Sequence, residues 1–282
     1  MSANPELPIA DGPAPRLHDN LKRLCAGLSA CIQSPALRQS VESQNIANHL
    51  PLSHSTSTAN VQAICSSGYL KSMAALIEEG VLKHRPECAE VALCTTNAVF
   101  FYVGPFAYPA TTFGFLFSQT LETANHSEGS ATPFDSGGLL RNFSWSTKQT
   151  ESPLQFFDRH ELPIPDHREY LELVINSLYP RPIDYLDPSA VVLKANPIGL
   201  EGGDATRRRT HEVRIPGKVK LRSTDLRAVF APRNRIAAQS EIRDLYLWCG
   251  QNGVDRRFFD SPGGDDFSGL RSACLDYLEK LY

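Results

Sequence analysis

The spacing of apolar residues changes period several times along this chain, and each change marks an element. Between Leu17 and about Asn48, Leu21, Leu24, Cys25, Leu28, Cys31 and Ile32 fall at helical spacing; Pro35 interrupts, and a second short helix runs to Ile46. A short strand over Leu52–His54 precedes Ser57 and Thr58, either a natural N-cap for a helix that carries Val61, Ile64 and Cys65 and ends at Gly68. Val99, Phe101 and Val103 alternate with Phe100 and Tyr102, and Phe113–Phe117 repeats the strand pattern. Between these strands lies GPFAYP, a loop whose glycine and prolines fix its course. Residues 165–179 predict an amphipathic helix, with Tyr170, Leu173, Val174 and Leu178 on one face and the charged residues toward solvent. Val191–Leu193 is a predicted strand and 197–209 a mobile loop. In RRRTHEVRIPGKVKL (207–221), Val213 and Ile215 alternate with Glu212 and Arg214, Pro216-Gly217 turns the chain, and Val219 and Leu221 resume the alternation. Glu212 and Arg214 therefore share a polar strand face. Leu226–Ala231 predicts another strand, stopped by Pro232, and two helices follow over 239–250 and 266–281.

Strands through the middle with helices at both ends predict an α+β fold. The expected organisation is a loose segment over 1–16, a helical extension over 17–48, a core domain over 49–236 and C-terminal helices over 237–282. A chain of 282 residues with 41% hydrophobic content can bury a full core. Its seven cysteines form no C-x-x-C pair and are expected as free thiols in a reducing compartment. With no leader-like start and no apolar run near the roughly 20 residues of a membrane span, the expectation is a soluble, cytoplasmic protein. The net charge of −3 excludes a uniformly basic nucleic-acid binder. Residues 207–222 depart from that average, with seven basic residues against Glu212 alone.

Several chemistries are disfavoured. There is no G-x-S-x-G elbow, no H-E-x-x-H or zinc-deaminase signature and no G-x-G-x-x-G after a strand, so no metal is expected. The Gly-rich run TPFDSGGLLRNFSW (132–145) lacks the lysine and the strand–helix frame of a phosphate loop. Asp135, Asp158 and His160 would serve an unrelated hydrolase, but D-R-H is too short a signal to favour one. An ordered trio remains. His54 stands at a strand's end facing a helix N-terminus, whose partial positive charge suits phosphate. Tyr102 lies in a central strand, with Phe106 and Tyr108 following as aromatic wall, and Glu212 opens a late strand behind a basic loop. Taken singly, each has a plain structural account: a backbone-bonded histidine, core aromatics and a surface glutamate.

Taken together, three segments resemble the ADP-ribosyltransferases of the His–Tyr–Glu kind, and among them the DarT-type toxins that modify nucleic acid. HSTSTANVQAICSSGYLKS resembles the family's opening histidine, threonine and glycine-ended helix. VFFYVGPFAYP resembles its second strand and aromatic loop, and RRRTHEVRIPGKVKLRSTDLRAVFAP its basic loop, catalytic glutamate and closing strands. Two features depart from the arginine-directed members: Ser55-Thr56-Ser57 follows the first-strand histidine, and the position two before Glu212 is Thr210. The resemblance implies a split β-sheet core and NAD as co-substrate. It assigns Glu212 to stabilise charge on the ribose, His54 to the adenosine ribose, and Ser55 or Thr56 to the cofactor backbone. Tyr102 would stack on nicotinamide, Tyr108 counts among the cofactor-binding residues, and Arg207, Arg208 and Arg209 would meet the acceptor. The implied partners are a macromolecular acceptor, DNA or RNA or protein, and a neutralising partner protein. Two alternatives stay open: a non-catalytic nucleic-acid-binding module, and an NAD glycohydrolase in which water is the acceptor. An enzyme should gather His54, Tyr102 and Glu212 around one cleft that admits a dinucleotide.

Overall fold

The computed structural model describes residues 15–30, 37–81, 88–108, 111–125, 127–139, 151–187, 190, 192–193, 198, 210–236, 240–261 and 266–282. Helices α1 (Pro15–Ser29) and α2 (Leu37–His49) lead into β1 (Leu52–Thr56), α3 (Thr58–Ser67), β2 (Tyr69–Lys71) and α4 (Met73–Glu78). Then come α5 (Cys88–Ala92), β3 (Ala98–Val103), β4 (Phe113–Phe117), α6 (Thr120–Ala124) and β5 (Ser130–Thr132). They are followed by α7 (Pro153–His160), β6 (Leu162–Pro163), α8 (His167–Leu178), β7 (Glu212–Pro216), β8 (Lys218–Lys220) and β9 (Leu226–Pro232). The chain closes with α9 (Arg233–Ile236), α10 (Ser240–Gln251), β10 (Asp255–Phe259) and α11 (Asp266–Leu278).

Eight strands form one mixed sheet in the order β10-β9-β4-β1-β3-β7-β5-β6, and β2 pairs with β8 in a separate ribbon. Only the β9–β10 pair is parallel among the described residues. The sheet divides between β1 and β3. β1 pairs with β4 over five residues and β3 with β7 over five, yet β1 and β3 pair only at Leu52–Val103 and Ser53–Tyr102. Beyond Ser53 the ladder stops, and a side chain takes over: His54 Nδ1 donates to the Phe100 carbonyl at 2.9 Å. A backbone carbonyl left without its ladder partner needs such a donor.

The core gathers on the Phe-rich strands. All five residues of β4 are buried. On one face Phe115 and Phe117 pack with Phe101, whose ring stands edge-on to Phe117 at 5.5 Å. On the other face the loop after β3 folds back over β4. A Cβ at Gly114 would lie 2.3 Å from the Phe106 ring, and Phe106 in turn stands edge-on to Phe230 at 5.5 Å. Glycine at 114 is what lets this aromatic loop close on the sheet.

The structure departs from the sequence expectations in definite places. β1 runs two residues beyond His54. The expected C-terminal pair of helices is interrupted by β10, an edge strand held parallel to β9. No strand forms at 192–193, and Val191 lies outside the described residues. In α8, His167 and Arg168 are buried rather than solvated. No helix among the described residues is long and apolar enough to cross a membrane.

Candidate active site

The β3–β7 register places Tyr102 directly opposite Glu212, and β5 sets Thr132 opposite Glu212 on the other side. Ser53 lies across from Tyr102. Residues paired in this way project from the same sheet face, so one row reads Ser53, Tyr102, Glu212, Thr132. Two residues along, Phe100, Arg214 and Ser130 form a second row on that face.

The polar face anticipated for Glu212 and Arg214 is real, but it is buried: Glu212 is 0% exposed and Arg214 3%. The Ser136 hydroxyl donates to Glu212 Oε1 at 2.6 Å, the Ser136 amide to Oε2 at 3.2 Å, and Arg214 Nη1 to Oε1 at 3.1 Å. Arg214 also donates to Thr132, Ser130 and Glu161, at 3.1, 2.9 and 3.2 Å, with its guanidinium 4.4 Å above the Phe157 ring. One guanidinium thus serves two carboxylates. Burial pushes the Glu212 carboxyl up to about 7; Arg214 and the Ser136 bond pull it down, and Asp135 nearby pushes it further up.

The segment that clamps Glu212 is held by its own turn. Asp135 Oδ1 accepts from the Gly138 amide at 3.1 Å and starts the short 3₁₀ turn Ser136–Gly138. Its glycine also admits an aromatic: a Cβ on Gly137 would stand 3.0 Å from the Tyr108 hydroxyl. The Tyr108 ring lies 5.7 Å from that of Tyr102, inclined by 32°. Tyr102, Tyr108, Ser136 and Glu212 therefore form one group, built from β3, the loop after it, the 135–138 turn and β7. Ser136 and Arg214 were not singled out by sequence reasoning. Strand alternation already put Arg214 on the face of Glu212, and D-S-G-G is a turn signature; the sequence does not show that Ser136 meets a residue 76 positions away.

His54 stands elsewhere. Alternation along β1 turns it and Thr56 to the face opposite Ser53, and its ring lies 5.7 Å from that of Phe101. Burial lowers its pKa, so the imidazole is neutral. With Nδ1–H committed to a carbonyl, Nε2 is left as an acceptor. A cavity of about 180 Å³ opens here, lined by His54, Ser55, Thr56, Asn60, Tyr69 and Lys71 among others, and neither Tyr102 nor Glu212 lines it. The buried Ser55 hydroxyl has no hydrogen-bond partner among the described residues. Of the trio, then, Tyr102 and Glu212 are adjacent and His54 is across the sheet. Arg207, Arg208 and Arg209 lie outside the described residues. Of the hydrolase alternative, His160 is buried with Nδ1 bonded to the Phe156 carbonyl, whereas the partly exposed Asp158 pairs with Arg16.

A second polar cluster abuts the first. His211, the residue before Glu212, meets His167 at 2.9 Å, Nε2 to Nδ1. His167 lies 3.3 Å from Glu122, and Arg168 donates to both Glu122 oxygens at 2.7 and 2.8 Å. Burial acts against the Glu122 charge, yet His167 and Arg168 outweigh it and hold the carboxyl down to about 2. Burial, with His167 and Arg168, keeps the His211 pKa well below the ordinary value.

Fold and site define an α+β protein whose split sheet carries a clamped carboxylate beside two tyrosines. Neither a protein-family model nor a curated protein sequence matches the chain. Among solved structures it is similar to Thermus sp. 2.9 DarT in complex with NAD+, at 11% identity and a TM-score of 0.41, covering 74% of this chain and 94% of that one. It is also similar to the same protein in complex with carba-NAD+, at 10% identity, TM-score 0.39 and coverage of 74% and 94%. A third likeness is to that protein in complex with ADP-ribosylated ssDNA, at 10% identity, TM-score 0.37 and coverage of 74% and 92%.

Proposed function

We propose that this protein is a mono-ADP-ribosyltransferase of the toxin or defence type, cleaving NAD and passing ADP-ribose to a macromolecular acceptor, with nucleic acid the first to be tried. The observation that carries this reading is the register that sets Glu212 beside Tyr102, with the Tyr108 ring 5.7 Å from that of Tyr102 and inclined to it. When the bond from ribose to nicotinamide breaks, the leaving group takes the electron pair and positive charge grows on the ribose. A carboxylate fixed beside that charge stabilises it without reorganising. Glu212 is fixed in this way by Ser136 and Arg214, and with its carboxyl near 7 it is poised between charged and neutral forms. Tyr102 and Tyr108 supply flat faces for a departing aromatic ring.

The fit to the rest of the dinucleotide rests on the split between β1 and β3. A cavity of about 180 Å³ holds one ring system rather than a dinucleotide. The His54 acceptor suits a sugar hydroxyl or a base edge there, whereas alternation turns the buried Ser55 hydroxyl to the other face of β1. Arg207, Arg208 and Arg209 complete the reading at the acceptor, and a neutralising partner protein belongs to it as well. Two observations favour the alternative of a binding module without turnover: His54 stands across the sheet from Tyr102 and Glu212, so the three do not gather around one cleft, and Glu212 is fully enclosed, with both oxygens engaged.

Nicotinamide release from NAD decides between them, measured with and without a single-stranded oligonucleotide, beside Glu212→Gln. The expected result is release by the wild-type chain that falls at least about 100-fold in the variant, with the fold verified by circular dichroism. No release by the wild-type chain with DNA, RNA or protein acceptors refutes the enzyme.

A further inference from the structure

We infer that Glu161 is a positioning residue that sets Arg214 against Glu212, and that Arg16 on α1 governs how strongly it does so, which makes the amino-terminal helix part of the active-centre framework. The links are continuous. Arg16 Nη2 donates to Glu161 Oε2 at 2.6 Å, and Glu161 Oε1 accepts from Arg214 Nη2 at 3.2 Å. Nη1 of that same guanidinium donates to Glu212 Oε1 at 3.1 Å. The Ser130 hydroxyl donates to Glu161 Oε1 at 2.7 Å and accepts from Arg214 Nη2 at 2.9 Å, which fixes the two side chains against each other. Both supports of Arg214 come from α7 and its end: Phe157 lies 4.4 Å from the guanidinium, and Glu161 follows directly after the helix.

Glu161 also stands where an acid is unfavourable. The last carbonyls of a helix lack intrahelical partners and carry a partial negative charge, so a carboxylate directly behind them is repelled. Helix α1 offsets both defects. Asn20 Nδ2 donates to the Asp158 and Glu161 carbonyls at 2.7 and 2.9 Å, and Arg23 donates to the Arg159 carbonyl. Arg16 then brings its charge to Glu161, with Asp158 3.5 Å from its Nη1. Among the described residues, Arg16 and Arg214 are the cations paired with Glu161. If Arg16 is taken away, Glu161 leans on Arg214 and draws its charge from Glu212. A cavity of about 500 Å³ is lined by Arg16, Glu161 and Arg214 but not by Glu212, so the pair can be altered without uncovering the inner carboxylate. The charged groups in play are Arg214 and Asp135 at Glu212, and Arg16, Arg214, Asp158 and Glu128 around the cavity at Glu161. The consequence for turnover rests on the transferase reading; the consequence for Glu212 itself does not.

The test uses the full chain and two readouts. One is the pH profile of nicotinamide release from NAD; the other is the titration of the Glu212 side-chain carboxyl by carbon-13 NMR, its signal assigned by loss in Glu212→Gln. Glu161→Gln keeps the shape and an accepting oxygen but leaves Arg214 to Glu212, so both titrations should move down by about one unit from about 7. Arg16→Gln, at an exposed position that leaves packing alone, should move both up by about 0.2–0.7 unit. The double variant should match Glu161→Gln, because Arg16 acts through Glu161 and has no effect without it. Shifts that simply add in the double variant would make Arg16 a distant charge and overturn the role of α1. No shift in Glu161→Gln, or one direction shared by both single variants, overturns the positioning. A Glu212 signal that shifts as expected in a chain that releases no nicotinamide overturns the transferase and leaves the positioning standing.

Discussion

Ser136→Ala is the sharpest perturbation the site offers, because it removes one hydrogen bond and almost nothing else. The bond lost is the 2.6 Å donation from the Ser136 hydroxyl to Glu212 Oε1; the amide bond at 3.2 Å to Oε2 and the Arg214 contact at 3.1 Å stay. A hydrogen bond to a charged group contributes about 1.5–3 kcal/mol. The bond favours the carboxylate over the acid, so at about 1.4 kcal/mol per pKa unit its loss raises the Glu212 pKa by about one to two units. From a starting value of about 7, the acid limb of the rate profile should move to about 8–9. At pH 7 the ionised fraction falls from about one half to between about one tenth and one hundredth, a loss of roughly 5- to 50-fold. Nicotinamide release measured from about pH 5 to about pH 10 should recover toward the wild-type rate at the alkaline end. A limb that stays where it was, or a loss equal at every pH, would show that the hydroxyl does not set the charge on Glu212.

Other perturbations read the framework. Arg214→Met leaves Glu212 and Glu161 without their shared cation and should cost about 3–5 kcal/mol in urea unfolding, less at acid pH where the Glu212 carboxyl is neutral; an unchanged midpoint would refute the clamp. Glu122 is held at about 2 in the folded chain against an ordinary 4.5, so the unfolded state takes up its proton first. Its contribution, on the order of 3 kcal/mol, is complete above about pH 4.5 and lost as pH falls through about 2. The stability gap between wild type and Glu122→Gln should therefore narrow from about pH 6 to about pH 3, and a constant gap would contradict the pairing. Gly114→Ala sets a methyl 2.3 Å from the Phe106 ring, and overpacking of this kind costs about 1–3 kcal/mol. Because Tyr108 rides on the same loop, KM for NAD should rise as well; a thermal midpoint equal to wild type would place the loop elsewhere.

Local rules made much of this architecture legible. The helix expected after Ser57 does run from Thr58 to Ser67 and ends at Gly68, whose φ of +70° is the left-handed cap that glycine tolerates. Phe113–Phe117 forms the strand its pattern predicts, and alternation in VRI correctly paired Glu212 with Arg214 on one face. What escaped depends on partners distant in the chain. DRRFF (255–259) has no alternating apolar face, and becomes a strand by lying alongside β9. Arg168 sits on what periodicity marks as the wet side of α8, and only distant partners explain its burial: Glu122, 46 residues away, and the Ala47 and Leu50 carbonyls. Alternation within β1 was readable too, and it already set His54 on the face opposite Ser53; what was missing was the register of β1 on β3, fixed by pairing across 49 residues.

The same long-range pairing explains why Glu212 can be buried without being quenched. Glu122 has two cations beside it, and His167 together with Arg168 holds its carboxyl near 2. Arg214 is instead divided: Glu161 Oε1 shares it at 3.2 Å, and Asp135 adds a second negative charge near the carboxyl. Desolvation therefore wins at Glu212 and loses at Glu122, although both are buried carboxylates paired to a buried arginine. The difference has a direct consequence for Asp135→Asn. Removing that charge should lower the Glu212 pKa, opposite in sign to Ser136→Ala, and shift the acid limb below about 7. The side-chain amide that replaces the carboxylate can still accept from the Gly138 N–H through its oxygen, so the 135–138 turn is preserved. Two neighbouring substitutions that move one limb in opposite directions would identify the titrating group as Glu212, and a shared direction would exclude it.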